Sequence, residues 1–346
     1  MNKKIIRNIL LLLLINVLLV PCAKAETDSE ELFVMENNTL VKYNGNEKNI
    51  IVPSMLNGQK VLRISKDVFY ENKIIESITL PDSVVQIDNY AFCGCTNLEF
   101  IVLPNNLEKI GVWLFGYCEN LEKISIPSSA TSIGSAAFYG CKSITEIEIP
   151  NSVISIGTHA FRGCSGINKV IISSNITEIP YRSFSGCTRL ESLELPKSIR
   201  ILGNESFYES GLKKITIPDS VEVIEDRAFY GNRSLVSVEI GRGIKKIGSN
   251  VFQQCDKLDS LHYQGTQEQW KRVNVSLDEN ESPLRVEYDY EWLNISPPSP
   301  STSPISNYSK DNEIEISKNK DRKADGIWNK LLTILTDPWN RRSAHR

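Results

Sequence analysis

Between residues 67 and 260 the apolar positions of the chain recur on one beat. Phe69, Phe92, Phe115, Phe138, Phe161, Phe184, Phe207, Phe229 and Phe252 stand 23 residues apart, except for a 22-residue step from Phe207 to Phe229, which makes nine units. Each unit opens on an apolar/polar alternation such as Ile124-Ser125-Ile126 or Ile147-Glu148-Ile149, the period-two pattern of a short strand with one buried face. Proline follows at Pro81, Pro104, Pro127, Pro150, Pro196 and Pro218, with Ser173 and Gly241 in its place in two units. At a strand end proline forfeits no ladder donor and helps the chain to turn. An aliphatic pair such as Val153 and Ile156, a bend glycine such as Gly157 and an Ala160-Phe161 plug complete one flat rung. The consensus is LxxIxIPxSVxxIGxxAFxGC, clearest at 121–141, "LEKISIPSSATSIGSAAFYGC". No rung buries both its faces alone, so the units are predicted to stack, with a strand column and a Phe column on opposite sides of one continuous core.

A repeat of about 20 to 29 residues with apolar positions fixed in phase marks a leucine-rich-repeat solenoid, here a right-handed coil of short parallel strands. Such a stack needs caps. Residues 26–66 alternate like strands without the full consensus and are predicted to form the N-terminal cap. The repeats span 67–260. Residues 261–295 leave the pattern after Tyr263, bring in Trp270, Tyr288, Tyr290 and Trp292, and are predicted to form a C-terminal cap.

Outside the solenoid the chain changes character. Lys3, Lys4 and Arg7 precede an apolar run over 9–20 and then Pro21-Cys22-Ala23-Lys24-Ala25, so 1–25 reads as a secretory signal with an A-x-A cleavage site. A retained anchor is the rival reading, but Asn16 interrupts the run and it falls short of the roughly 20 residues that span a bilayer. Lipid attachment at Cys22 is a second rival, opposed by Pro21 where a small residue is expected. Residues 296–326 are rich in proline, serine and charge and read as a disordered linker. Over 327–346, Ile327, Trp328, Leu331, Leu332, Ile334 and Leu335 share one helical face, with Asp325 at the start and Pro338 as the stop. Lys330 alone supplies positive charge within that stretch, so membrane contact has no support there.

The repeats "AFCGC", "AFYGC", "AFRGC" and "SFSGC" behind "IP" and "IG" resemble those of the BspA-like, or Treponema-type, leucine-rich-repeat family. The resemblance runs over about residues 32–290. It takes in "VPSMLNGQKVLRISKDVF", similar to an entry unit, and "YQGTQEQWKRV" with "VEYDY", similar to a terminal unit. It implies a secreted or cell-surface bacterial protein that works by adhesion or protein binding, and it brings no catalytic residues with it.

Composition narrows the chemistry. A net charge of −3 with scattered Lys and Arg gives no field for nucleic acid. The three histidines, His159, His262 and His345, have no base, nucleophile or ligand partner in sequence, and HExxH, GxSxG and phosphate-loop motifs are missing in suitable context. No enzyme activity, cofactor or metal is expected. His262, on an outward strand position, is expected to be solvated. Cys95, Cys118, Cys141, Cys164 and Cys187 lie 23 residues apart. Stacked equivalents point their Cβ atoms in parallel, and with Cys93 and Cys255 the mature chain holds seven cysteines, so the ladder is predicted to be buried free thiols. Cys93 is predicted to be the more exposed one.

Function is expected on the outward strand positions, because stacked strands in a solenoid form an extended surface. One column reads Ser77, Phe100, Lys123, Glu146, Lys169, Ser192, Lys214, Ser237 and Ser260. The other reads Thr79, Val102, Ser125, Glu148, Ile171, Glu194, Thr216, Glu239 and His262. Phe100 with Val102, and Lys169 with Ile171, flank Glu146 and Glu148; with Lys123 and Glu194 they make up the candidate binding site for an extracellular protein or glycan ligand. The alternative is a non-catalytic tethering module that recruits an enzyme or surface component through its C-terminal tail.

Overall fold

The computed structural model describes residues 32–276 and 285–289, which coil into a parallel β-solenoid of about eleven turns with almost no helix. The leader, the linker and the terminal helix expected over 1–25, 296–326 and 327–346 lie outside the described residues. Two parallel ladders run along the coil, where one strand column was expected. The first consists of the alternating segments: Asn49–Ile51, Ser77–Thr79, Phe100–Val102, Glu146–Glu148, Lys169–Ile171, Ser192–Glu194, Lys214–Ile217, Ser237–Ile240, Ser260–Tyr263 and Arg285–Tyr288. The second consists of two-residue strands at the xI of each "xIG", such as Lys109–Ile110, Ser132–Ile133 and Ser155–Ile156, paired one unit apart. Each of those strands buries only its second residue, too short a stretch for a period-two signal to show itself.

The third side is the turn carrying the phenylalanines. Its backbone is also a ladder: Tyr90, Phe92 and Gly94 donate their N–H groups to the carbonyls of Val112, Leu114 and Gly116 at 2.7–3.1 Å. Inside it the rings of Phe69 through Phe252 stack with centroids 5.2–5.7 Å apart and planes within 21°, in the range of offset aromatic pairs. From the Phe92 turn to the Phe252 turn, two residues have left-handed backbone, two before and two after the phenylalanine, as at His159 (φ 60°) and Gly163 (φ 73°); the Phe69 turn has only Glu71.

The nine phenylalanine units are extended at both ends. An antiparallel hairpin, Phe33–Glu36 with Thr39–Tyr43, sends Thr39 and Leu40 into the second ladder against Arg63–Ile64. The Tyr43 ring sits 5.7 Å from Phe69 and starts the aromatic stack. At the other end Asn274–Val275 joins the second ladder and Arg285–Tyr288 the first. Just before them Thr266 caps the single-turn helix Gln267–Trp270 in a capping box with Gln269, and Trp270 packs on Tyr263 at 5.1 Å.

The thiols are buried and free. Each ladder cysteine donates its S–H to the carbonyl of the phenylalanine one rung back, from Cys95 to Phe69 through Cys187 to Phe161, at 2.9–3.3 Å. Cys255 does the same to Phe229. Cys93 is the most exposed of the seven, as expected, but only slightly. It is buried, at 8% exposure against 0% for the five, because it and the Trp113 ring both pack against Gly116. In the one 22-residue unit the chain is shorter between Ser210 and Leu212, and Gly211 lies so close to the Thr188 carbonyl that an added Cβ would stand 2.1 Å from it. Asn232, at the cysteine position of the next rung, replaces the lost turn bonds. Its Oδ1 accepts from the Ser210 hydroxyl (2.7 Å) and the Leu212 amide (3.3 Å), and its Nδ2 donates to the Phe207 and Phe229 carbonyls (2.8 Å each).

Candidate interaction surface

The ladder register brings the two outward columns together as rows of neighbours. Ser77 pairs with Phe100 and Thr79 with Val102; Phe100 bridges to Lys123; Glu146 pairs with Lys169 and Glu148 with Ile171; Glu194 pairs with Thr216 and Thr216 with Glu239. All the candidate residues therefore project from one sheet face, alternating with buried Ile101, Ile147, Val170 and Leu193. Val102 and Ile171 are exposed, at 48% and 46%. Phe100 is half-buried and so is not the open apolar contact expected of it.

The first ladder is not continuous. Its strands fall into sheets of three, two and five, with Glu146–Glu148 and Lys169–Ile171 forming the two-stranded island. Residues 121–126 contribute only the Phe100–Lys123 bridge. An open groove lies at each interruption. One is lined by Lys123, Ser125, Glu146, Glu148, Lys169 and Ile171; the other by Lys169, Ile171, Ser192 and Glu194. Glu146, Glu148, Lys169 and Ile171 thus stand on the island, Lys123 and Glu194 border it across the two grooves, and Phe100 and Val102 lie on the strand before it. The Lys169–Glu146 ion pair is long, 3.9 Å, and open to water, so it contributes little to stability and leaves both charges available to a partner.

His262 is open to water as expected, with 43% of its side chain exposed, but it has a partner that the sequence did not suggest. Its Nε2 lies 3.0 Å from the Asp289 carboxylate, while the Asp289 amide donates to the Tyr263 carbonyl and ties the end of the last strand to its neighbour. His159 packs edge-on against Tyr181 at 4.9 Å. Among the described residues no group of three or more His, Cys, Asp or Glu is placed to hold a metal ion, and no helix is long and apolar enough to cross a membrane.

Sequence reasoning passed over a second surface. On the turn side Tyr90, Trp113, Tyr117 and Tyr139 form one contiguous aromatic group with Arg162 beside it. The signal was present in "GVWLFGYC", which carries Tyr117 where the neighbouring units place Gly94 and Gly140, and Trp113 one unit after Tyr90.

A family model, the BspA type leucine-rich repeat region, matches residues 62–190 and 163–273, with six copies. No curated protein matches the chain. Similar solved structures include a leucine-rich repeat protein from Bacteroides ovatus, 22% identical over 75% of this chain and 97% of that one, TM-score 0.48. The T. pallidum leucine-rich repeat protein is 26% identical over 66% and 88%, TM-score 0.41. A leucine-rich cell surface protein from Faecalibacterium prausnitzii is 22% identical over 73% and 96%, TM-score 0.31.

Proposed function

Because the chain belongs to the BspA-type leucine-rich-repeat family, we propose that it is a non-catalytic binding protein, secreted or held at the cell surface, whose first-ladder face adheres to an extracellular protein or glycan. The observation that carries this reading is the island at Glu146–Glu148 and Lys169–Ile171. Grooves flank it on both sides, and it presents acidic, basic and apolar side chains in register. A repeat surface of this kind recognises a partner by its spatial sequence of charges and apolar contacts rather than by a deep pocket. The N-terminal segment before Glu26 supports export, since it has the charged, apolar and small-residue regions of a signal peptide in order.

The test is a screen of the full chain against matrix proteins and glycans, followed by affinity measurements on variants. Val102→Ser and Glu148→Ala both alter exposed side chains. Each is expected to weaken binding by about 1–2 kcal/mol, as interface contacts can, with an unchanged melting temperature. Wild-type affinity in both variants would remove the first ladder as the binding face.

A further inference from the structure

The turn side carries aromatic residues in a backbone conformation that disfavours them. Tyr90, Trp113 and Tyr117 have φ of 66°, 54° and 60°, the left-handed region in which a bulky side chain is strained. At the position of Tyr117 five other units place Gly94, Gly140, Gly163, Gly186 and Gly231. The fold itself therefore asks for glycine there, and the tyrosine stands against that preference.

Those rings form one contiguous but uneven aromatic platform, with Trp113 and Tyr117 tilted by 32° and Tyr117 meeting Tyr139 edge-on at 62°. Tyr90 and Trp113 stack at 6.4 Å, Trp113 and Tyr139 lie 5.0 Å apart, and Tyr117 meets Trp113 at 5.8 Å and Tyr139 at 5.3 Å. The platform rests on glycine: a Cβ added at Gly116 would stand 2.4 Å from the Trp113 ring, and one at Gly140 would stand 3.1 Å from Tyr117. Tyr90 and Tyr117 remain 40% and 44% exposed. At the edge Arg162 holds its guanidinium 5.5 Å from the centre of the Tyr139 ring. It joins no ion pair among the described residues, whereas Arg182, one rung further, is matched by Glu205 at 2.5 Å.

We propose that this patch binds a carboxylated saccharide, a uronic or sialic acid unit of a glycan, at a site separate from the first ladder. A sugar ring has a C–H face that stacks on the electron-rich face of an aromatic ring, and its hydroxyls lie at the rim, within reach of the tyrosine O–H and tryptophan N–H groups. Arg162 supplies the planar fork that matches a carboxylate with two parallel hydrogen bonds. Protein hot spots drop anchors into pockets; here the exposed Tyr90 and Tyr117, with the tilted rings around them, offer an open aromatic surface for a sugar ring to pack against.

The full chain is titrated with polygalacturonate, with polysialate and with neutral dextran, for wild type and for Tyr117→Gly and Arg162→Gln. Wild type is expected to bind at least one acidic polymer and to bind dextran much more weakly. The two acidic polymers distinguish the uronic from the sialic source. Tyr117→Gly is expected to weaken binding about tenfold without lowering the melting temperature, because glycine relieves the left-handed strain as the ring is lost. Arg162→Gln is expected to erase the preference for acidic polymer over dextran. Failure of both acidic polymers to bind, equal binding of dextran, or wild-type binding by both variants would each overturn the site. If Tyr117→Gly lowers stability, Arg162→Gln alone decides. These variants share no residue with the first ladder, so their failure leaves the function proposed above untouched.

Discussion

Replacing Asn232 with alanine removes the clamp on the one short turn of the solenoid. The side chain is 0% exposed and makes four hydrogen bonds. Three of its partners lose one bond each, worth about 0.5–1.5 kcal/mol net apiece. The Phe207 carbonyl keeps a long bond from the Ser210 amide, and the Phe229 carbonyl keeps the Cys255 thiol. The Leu212 amide is different, because its bond to Asn232 replaces the turn bond that Leu190 makes to Cys187 in the preceding unit. Orphaned and buried, it costs about 1–3 kcal/mol. With some relaxation of the turn the expected loss is about 3–5 kcal/mol, near the upper end for single substitutions. Cys164→Ala, which removes one thiol bond to Phe138, is expected to cost about 1–2 kcal/mol. Asn232→Cys restores the thiol bond but leaves the Leu212 amide unpaired, so it falls between them. Urea unfolding of the full chain gives the energies, provided the slope with denaturant stays constant, and hydrogen exchange at Leu212 reports the site. A loss for Asn232→Ala no greater than that for Cys164→Ala, or unaltered exchange at Leu212, would refute the clamp.

Burial raises the thiol pKa of Cys95 and Cys255 from the ordinary 9.0 to about 12 and moves those of Cys118, Cys141 and Cys187 well above it. A folded-state pKa above the unfolded one gives stability that is complete below pH 9 and declines as pH rises toward the folded values. Each thiol is therefore expected to cost about 1.4 kcal/mol per pH unit across that window, and a chain whose denaturation midpoint stays level from pH 9 to 11 would contradict it. The same thiols are expected to react slowly with thiol reagents in the folded chain, as measured by mass spectrometry against urea-unfolded protein. Gly157→Ala is expected to lower stability by about 2–3 kcal/mol, because the new Cβ would stand 2.3 Å from the Ser135 amide nitrogen and force two rungs apart; a melting temperature equal to wild type would show that the rungs can yield. Phe161→Ala opens a hole in the stack between Phe138 and Phe184, with an expected cost of about 3–5 kcal/mol by the same unfolding assay.

The 23-residue beat by itself determined the coil, the in-register stacking and the residues that fill the core. Repetition multiplies a weak local pattern: one Ile-x-Ile says little, but nine in phase with a phenylalanine leave one arrangement that buries them all. It also placed the candidate binding residues in their two columns, since outward positions follow directly from strand alternation. The second ladder was decided only by tertiary structure. A two-residue strand such as Ser155–Ile156 has no period of its own and is a strand solely because Ser132–Ile133 lies beside it. The breaks in the first ladder are likewise invisible in sequence, because residues 121–126 fit the consensus as well as any unit yet keep only the Phe100–Lys123 bridge. Asn232 reads as a lapse in the cysteine column until the short turn behind it is seen to need an acceptor and two donors at once. Tyr90, Trp113 and Tyr117 read as variable loop positions until the backbone shows them in left-handed turns within one aromatic cluster, Trp113 against Gly116 and Tyr117 against Gly140. Local pattern decides which side of a rung a residue occupies, and only the stacking of separate rungs decides what it touches there.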